Sequence, residues 1–269
     1  MTNLKNKVKN FWNNNSCGEE LYFKGASEIL AFKNQMDKRF QLEPYIIQFA
    51  DFEASRNKIV LEIGVGLGAD HQIFAESGAN LYGIDLTERA INNTKNRLNL
   101  FNLKSNLSVG DAENLSFDDN FFDLVYSWGV IHHSPNTENA VDEIYRVLKT
   151  DGKAKIMIYH KYSFVGYMLW IRYALLYFRP LMSLESIYAI YLESPGTKAY
   201  TIKNAKEMFS NFKEVKITTL LTHGDLLTSD AGQRHKGYLL SIAKQFFPRF
   251  VIKKLFPKHG LFMLIEAVK

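Results

Sequence analysis

The chain has 269 residues, 46% hydrophobic and 23% charged, with a net charge of +5 and a single cysteine, Cys17. These values describe one large globular domain, or a domain with a cap, and they exclude an intramolecular disulfide framework. The lone thiol fits a reducing cytoplasm. The polar N-terminus lacks the apolar stretch of a secretory signal, and the longest apolar run, Ser163 to Phe178, is broken by Arg172 and shorter than a membrane span.

In chain order, residues 1–56 read as helical. Leu42, Tyr45, Ile46 and Phe49 recur at helical spacing, and Pro44 stands just inside a helix start. Ile59 to Ile63 is an apolar run of buried-strand type that enters Gly64, Gly66 and Gly68. A helix follows over Asp70 to Ser77 and stops at Gly78. A second strand, Leu81 to Asp85, ends in an acid followed by Leu86 and by Thr87, a helix N-cap. The third strand, Leu107 to Val109, opens into Gly110, Asp111, Ala112 and Glu113. The fourth, Phe122 to Ser127, opens into Trp128, Gly129 and the pair His132–His133. Ser134 as N-cap and Pro135 at the first helical position start the next helix. Asp151-Gly152 then turns the chain into a fifth strand, Lys155 to Tyr159. An aromatic insertion, 160–198, reads as helices over the ligand edge. A helix at 201–212, a strand at 214–221, a second insertion at 222–259 and a last strand at 261–268 complete the chain. From Ala231 to Gly260 there are seven Lys/Arg and no acid.

Strand–helix alternation predicts a Rossmann-like, doubly wound α/β sheet with ligands at the C-terminal ends of its strands. Asp85 stands 21 residues after Gly64, the offset at which a carboxylate reaches ribose hydroxyls. The glycine spacing G-x-G-x-G departs from the G-x-G-x-x-G of nicotinamide sites. The histidines show no H-x-x-x-H spacing and Cys17 stands alone, so no metal site is expected.

The segments LEIGVGLG, GIDLTERAI, GDAENLSFDDNFFDLVYSWGVIHH and EIYRVLKTDGKAKIMIYH occur in one order between Ile59 and His160. Together they resemble the class I S-adenosylmethionine-dependent methyltransferases, in particular the type 11, ubiquinone-biosynthesis-like branch acting on small molecules. The resemblance implies seven strands, the last antiparallel between the fifth and sixth. It also implies S-adenosylmethionine as cofactor. Gly64, Gly66 and Gly68 would admit its methionine and ribose, and Glu62 would orient its α-ammonium. Asp85, beside Leu86, would hold both ribose hydroxyls. Asp111 and the Ala112 N–H would take the adenine, while Ser127, Trp128 and Gly129 would flank the methionine arm. Tyr22, in a segment from Trp12 to Lys24, would fold over the site. His132 and His133 are the candidate bases, with His132 slightly favoured; the competing reading makes both structural.

The expected organisation is a helical cover (1–56), a core (57–160 and 199–269, with the basic insertion 222–259) and an aromatic cap (161–198) that sets acceptor choice. The expected partner is a small-molecule acceptor, amphipathic or anionic. The alternatives are an RNA-modifying methyltransferase, disfavoured because no RNA-binding appendage is recognisable, and a non-catalytic binding protein. The basic stretch and aromatic cap also suit peripheral membrane contact. Nothing in the sequence sets the oligomeric state.

Overall fold

The computed structural model describes residues 3–14, 16, 18–229 and 244–269. Cys17 and residues 231–243 of the basic stretch lie outside the described residues. Seven strands form one sheet: β1 (Ile59–Ile63), β2 (Asn80–Asp85), β3 (Asn106–Val109), β4 (Phe122–Trp128), β5 (Leu148–Tyr159), β6 (Glu214–Leu220) and β7 (Phe262–Val268). Their order is β3-β2-β1-β4-β5-β7-β6. Strands β1 to β5 pair in parallel, and β7 runs antiparallel to both β5 and β6. The fold expected from the sequence is therefore the one observed. Order reverses between β1 and β4, which opens a crevice at their C-terminal ends.

Alternate residues of the strands feed two cores. Leu61, Ile63 and Val125 pack with Ile144 on one face, while Val60, Leu124 and Tyr126 pack with Phe74 and Phe49 on the other. The covering helices are α5 (Ala69–Glu76), α6 (Glu88–Leu100), α7 (Thr137–Val147) and α10 (Ile202–Met208). Thr87 caps α6, its hydroxyl accepting the Ala90 N–H at 3.2 Å.

Before the sheet come α1 (Asn3–Asn14), α2 (Glu19–Tyr22), α3 (Glu28–Leu42) and α4 (Tyr45–Ala50). Pro44 stands one residue before α4 rather than inside it. Arg97 fastens this segment to the sheet. Fully buried, it donates to Gln72 Oε1, Gln35 Oε1 and the carbonyls of Leu67 and Phe32.

Two boundaries differ from the sequence reading. Helix α7 starts at Thr137 with Asn136 as N-cap, not at Ser134-Pro135. Ile131–His133 form a 3₁₀ turn, and Ser134 is extended (φ −62°, ψ 138°), as a residue before proline prefers. Strand β5 starts at Leu148, seven residues early, because Asp151 at φ 59° forms an irregularity within the strand rather than a turn before it. In the cap, α8 (Phe164–Tyr173) leads to α9 (Leu184–Ile187), which continues as a π-turn to Leu192. The buried Tyr188 holds the two together: its hydroxyl lies 2.8 Å from Ser163 Oγ. After β6, the second insertion carries α11 (Arg249–Leu255).

Candidate active site

Four adjacent strand ends meet at one cleft of about 1180 Å³, counted to its open mouth. Strand β1 delivers Glu62 and the glycine turn, β2 delivers Asp85 and Leu86, the turn after β3 delivers Asp111 and Ala112, and β4 delivers Trp128 and Gly129. The turn needs glycine. At Gly64 a Cβ would lie 2.1 Å from Val130 Cγ2, and at Gly66, with φ 54°, it would project into open space. The backbone at Gly66 can therefore touch a ligand directly.

Asp85 is held by its own loop. Oδ1 accepts the Thr87 N–H at 2.9 Å and hydroxyl at 2.8 Å, and Oδ2 accepts the Gly66 N–H at 3.3 Å. Burial pushes its pKa up, and these three bonds oppose the shift. Asp111 is engaged from far along the chain. Lys5 on α1 donates to its Oδ2 at 2.6 Å and to Glu113 Oε2 at 2.7 Å. Burial alone would lower the Lys5 pKa, but the two carboxylates outweigh it and raise it. With Val8 and Trp12, Lys5 makes α1 one wall of the cleft.

Glu62 lies 2.8 Å from His71 Nδ1, and the other ring nitrogen lies 2.8 Å from Ser105 Oγ. Burial pushes the Glu62 carboxyl well up and holds His71 down at about 3, so the imidazole is neutral. Arg39 on α3 forms a fork with Asp70, two bonds of 2.7 Å, and Tyr126 donates to the same carboxylate at 2.8 Å. Burial works against the Arg39 charge, but Asp70 keeps it firmly protonated. Arg39, Asp70 and Gln35 all face the cleft.

Of the two candidate bases, His133 is on the wall of the cleft and His132 is not. The slight preference for His132 is thus corrected. Its ring is fully buried 4.1 Å from that of Tyr159, and burial pushes its pKa well down. His133 Nδ1 lies 2.9 Å from Ser194 Oγ and 3.1 Å from Thr197 Oγ1, while Nε2 lies 3.4 Å from Glu193 Oε2. Tyr159 donates to the same Glu193 oxygen at 2.7 Å. Lys198 closes the arrangement by donating to the carbonyls of Ser134 and Pro135.

Tyr22 and Ser127 also stand off the cleft wall; Ser127 is fully buried and Tyr22 is half-buried. The cap does not line the cleft with its aromatic rings, as the sequence suggested. Trp170 donates instead to the Met182 carbonyl at 2.9 Å, and Tyr177 faces solvent. The cap reaches the site through residues 193–198. Among the described residues, His132, His133 and Glu193 bring atoms of ligand type within 4.8 Å of one another, a grouping that no sequence spacing marked. Lys5, Arg39, Asp70 and Glu193 escaped the sequence reading. Each is an ordinary surface-type residue until the fold sets it against a partner, and no local pattern marks it.

Residues 61–156 match the family profile described as a methyltransferase domain. Over 117 residues the chain is 35% identical to phosphoethanolamine N-methyltransferase 2 of Caenorhabditis elegans, covering 43% of this chain and 26% of that protein. It is 32% identical over 120 residues to demethylmenaquinone methyltransferase of Tropheryma whipplei, covering 43% of this chain and 49% of that protein. The chain thus spans less than half the length of these curated relatives. The solved phosphoethanolamine N-methyltransferase 2 of Haemonchus contortus, in complex with phosphomonomethylethanolamine and S-adenosylhomocysteine, superposes with a TM-score of 0.53 at 17% identity. That likeness covers 90% of this chain and 59% of the other, and shows the fold. Residues 61–156 carry the methyltransferase domain, and the sheet around them has the fold of the class I S-adenosylmethionine-dependent methyltransferases.

Proposed function

We propose that the protein transfers the methyl group of S-adenosylmethionine to an oxygen, nitrogen or sulfur nucleophile of a small molecule in the cytoplasm. The observation that carries this reading is the convergence of Glu62, Gly66, Asp85, Asp111 and Gly129 on one cleft at the switch point of the sheet. The cofactor supplies an electrophilic methyl on a sulfonium; the protein binds, aligns and excludes water. Asp85 accepts from the ribose hydroxyls, while Asp111 and the Ala112 N–H take the adenine. Glu62 meets the α-ammonium, whose charge draws its raised pKa back down. Arg39 stands ready for the α-carboxylate.

In this reading His133 takes the acceptor's proton on Nε2, the ring nitrogen without a hydrogen-bond partner, with Glu193 stabilising the imidazolium that results. His132 packs the loop. Residues 1–56 cover the cofactor, and 161–198 position His133 from the side opposite α1. The RNA-modifying and non-catalytic alternatives draw no support from the relatives above, whose names carry small-molecule substrates.

Calorimetry on the whole chain tests the reading. One site per chain for S-adenosylmethionine and S-adenosylhomocysteine is expected, with no heat from NAD. Binding of NAD alone would overturn it. Transfer of labelled methyl to a panel beginning with phosphoethanolamine and demethylmenaquinone then tests the acceptor class.

A further inference from the structure

Two regions outside the cleft expose large apolar side chains. Helix α11 buries Ile252 and leaves Phe250 76% and Leu255 64% exposed, with Phe246 before it at 81%. Arg249 pins the helix to the fold by donating to the carbonyls of Leu226, Leu227 and Lys244, so these side chains are presented by a fixed element. At the tip of the cap, Phe178 is 93% and Leu181 98% exposed. Phe178 also sits at φ 56°, a left-handed conformation costly for an aromatic residue. Backbone strain that holds a phenyl ring in water calls for a purpose outside the monomer.

Helix α8 joins the two regions. Its first turn packs on the end of α11, Phe164 against the ring of Phe256 at 6.0 Å and Tyr167 hydroxyl 2.9 Å from His259 Nδ1. Its last turn runs into the tip. The charge around this surface has one sign where it matters: Lys253, Lys254 and Lys258 are exposed among the apolar side chains, and no acid occurs from residue 231 to 260.

We propose that α11 and the cap tip form a docking face for an anionic lipid bilayer. The rings and leucines enter the headgroup boundary, and the lysines meet the phosphates. A second copy of this chain fits the face poorly, because Lys253, Lys254 and Lys258 would meet their own copies while the exposed acid of the cap, Glu185, is already paired with Lys161. No helix among the described residues is long and apolar enough to cross a membrane, so contact at the surface is the mode the face offers.

Co-sedimentation of the full chain with vesicles tests this. Binding is expected to vesicles of about 30% phosphatidylserine in phosphatidylcholine and not to phosphatidylcholine alone, with release as salt rises. The double variant Phe178→Ser/Leu181→Ser should bind at least about tenfold more weakly. Each of Lys253→Gln and Lys254→Gln should weaken binding about fivefold. All are surface changes, so melting temperature and S-adenosylhomocysteine affinity should match wild type. Wild-type protein that ignores anionic vesicles overturns the proposal. So does a dimer that the Phe178→Ser/Leu181→Ser variant dissolves, or an RNA oligonucleotide that binds this face more tightly than vesicles do.

Discussion

Asp85 spends one carboxylate oxygen on Thr87 and keeps the other toward the Gly66 amide, so its charge is fixed before any ligand arrives. Preorganisation of this kind makes the residue hard to replace. Asp85→Ala is expected to weaken S-adenosylmethionine binding about tenfold or more, since each hydrogen bond to a charged group contributes roughly 1.5–3 kcal/mol. Calorimetry on a variant with an unchanged melting temperature checks it. Glu43 makes a second forecast. Burial lifts its pKa from 4.5 to about 7 in spite of Arg39. The folded state therefore holds an extra proton between those values, and the stability from Glu43 is full below about 4.5 and lost as pH rises through about 7. His71 has the opposite sign. Its ring titrates near 3 instead of 6.5, so its contribution is present above 6.5 and lost as pH falls. From pH 4.5 to 6.5 the two oppose each other. Above 6.5, Glu43 remains, reinforced by the raised Glu62. The melting temperature should fall from about pH 6.5 to 8, and less steeply in Glu43→Gln.

At the scale of elements, the strands and the glycine turn were legible because their signals are local: an apolar run, a turn that demands glycine, an acid at a strand end. The capping of α6 by Thr87 was legible for the same reason. The start of α7 was not, because a 3₁₀ turn after β4 takes up the residues that resemble a cap. The way the cap meets the site was not legible either. Its aromatic content suggested a wall for the acceptor; the rings named above lie off the cleft, and it is the short segment 193–198 that meets the histidine loop. That pairing joins residues 60 apart in sequence and has no periodicity to betray it. If Glu193 steadies the His133 imidazolium, Glu193→Gln should lower turnover by about 10- to 100-fold. Affinity for S-adenosylhomocysteine should stay within about twofold, because Glu193 does not face the cofactor half of the cleft. Unchanged turnover would return His133 to a structural role.

Across the whole molecule, the N-terminal helices are brought to the cleft by contacts distant in sequence. Arg97 ties α3 to the glycine turn through neutral acceptors alone, and burial lowers its pKa to about 10. Removing such a cation leaves several buried carbonyl oxygens without donors, which is why the tie is structural rather than electrostatic. The C-terminal strand β7 meanwhile completes the sheet between β5 and β6. The family motifs between Ile59 and His160 made the floor of the cleft readable. Its cover was not, because Lys5 and Asp111 stand 106 positions apart and meet only once the chain has folded.

That contact has a consequence for the traffic of molecules through the site. Lys5 clasps two carboxylates at the edge of the cleft, and one of them, Asp111, is the partner proposed above for the adenine. These two ion pairs hold helix α1 against that edge, and moving it away would break both together. If α1 has to move for a nucleoside to pass, the pairs govern its residence time. Stopped-flow release of S-adenosylhomocysteine should accelerate in Lys5→Ala by about tenfold, with added salt hastening the wild type far more than the variant.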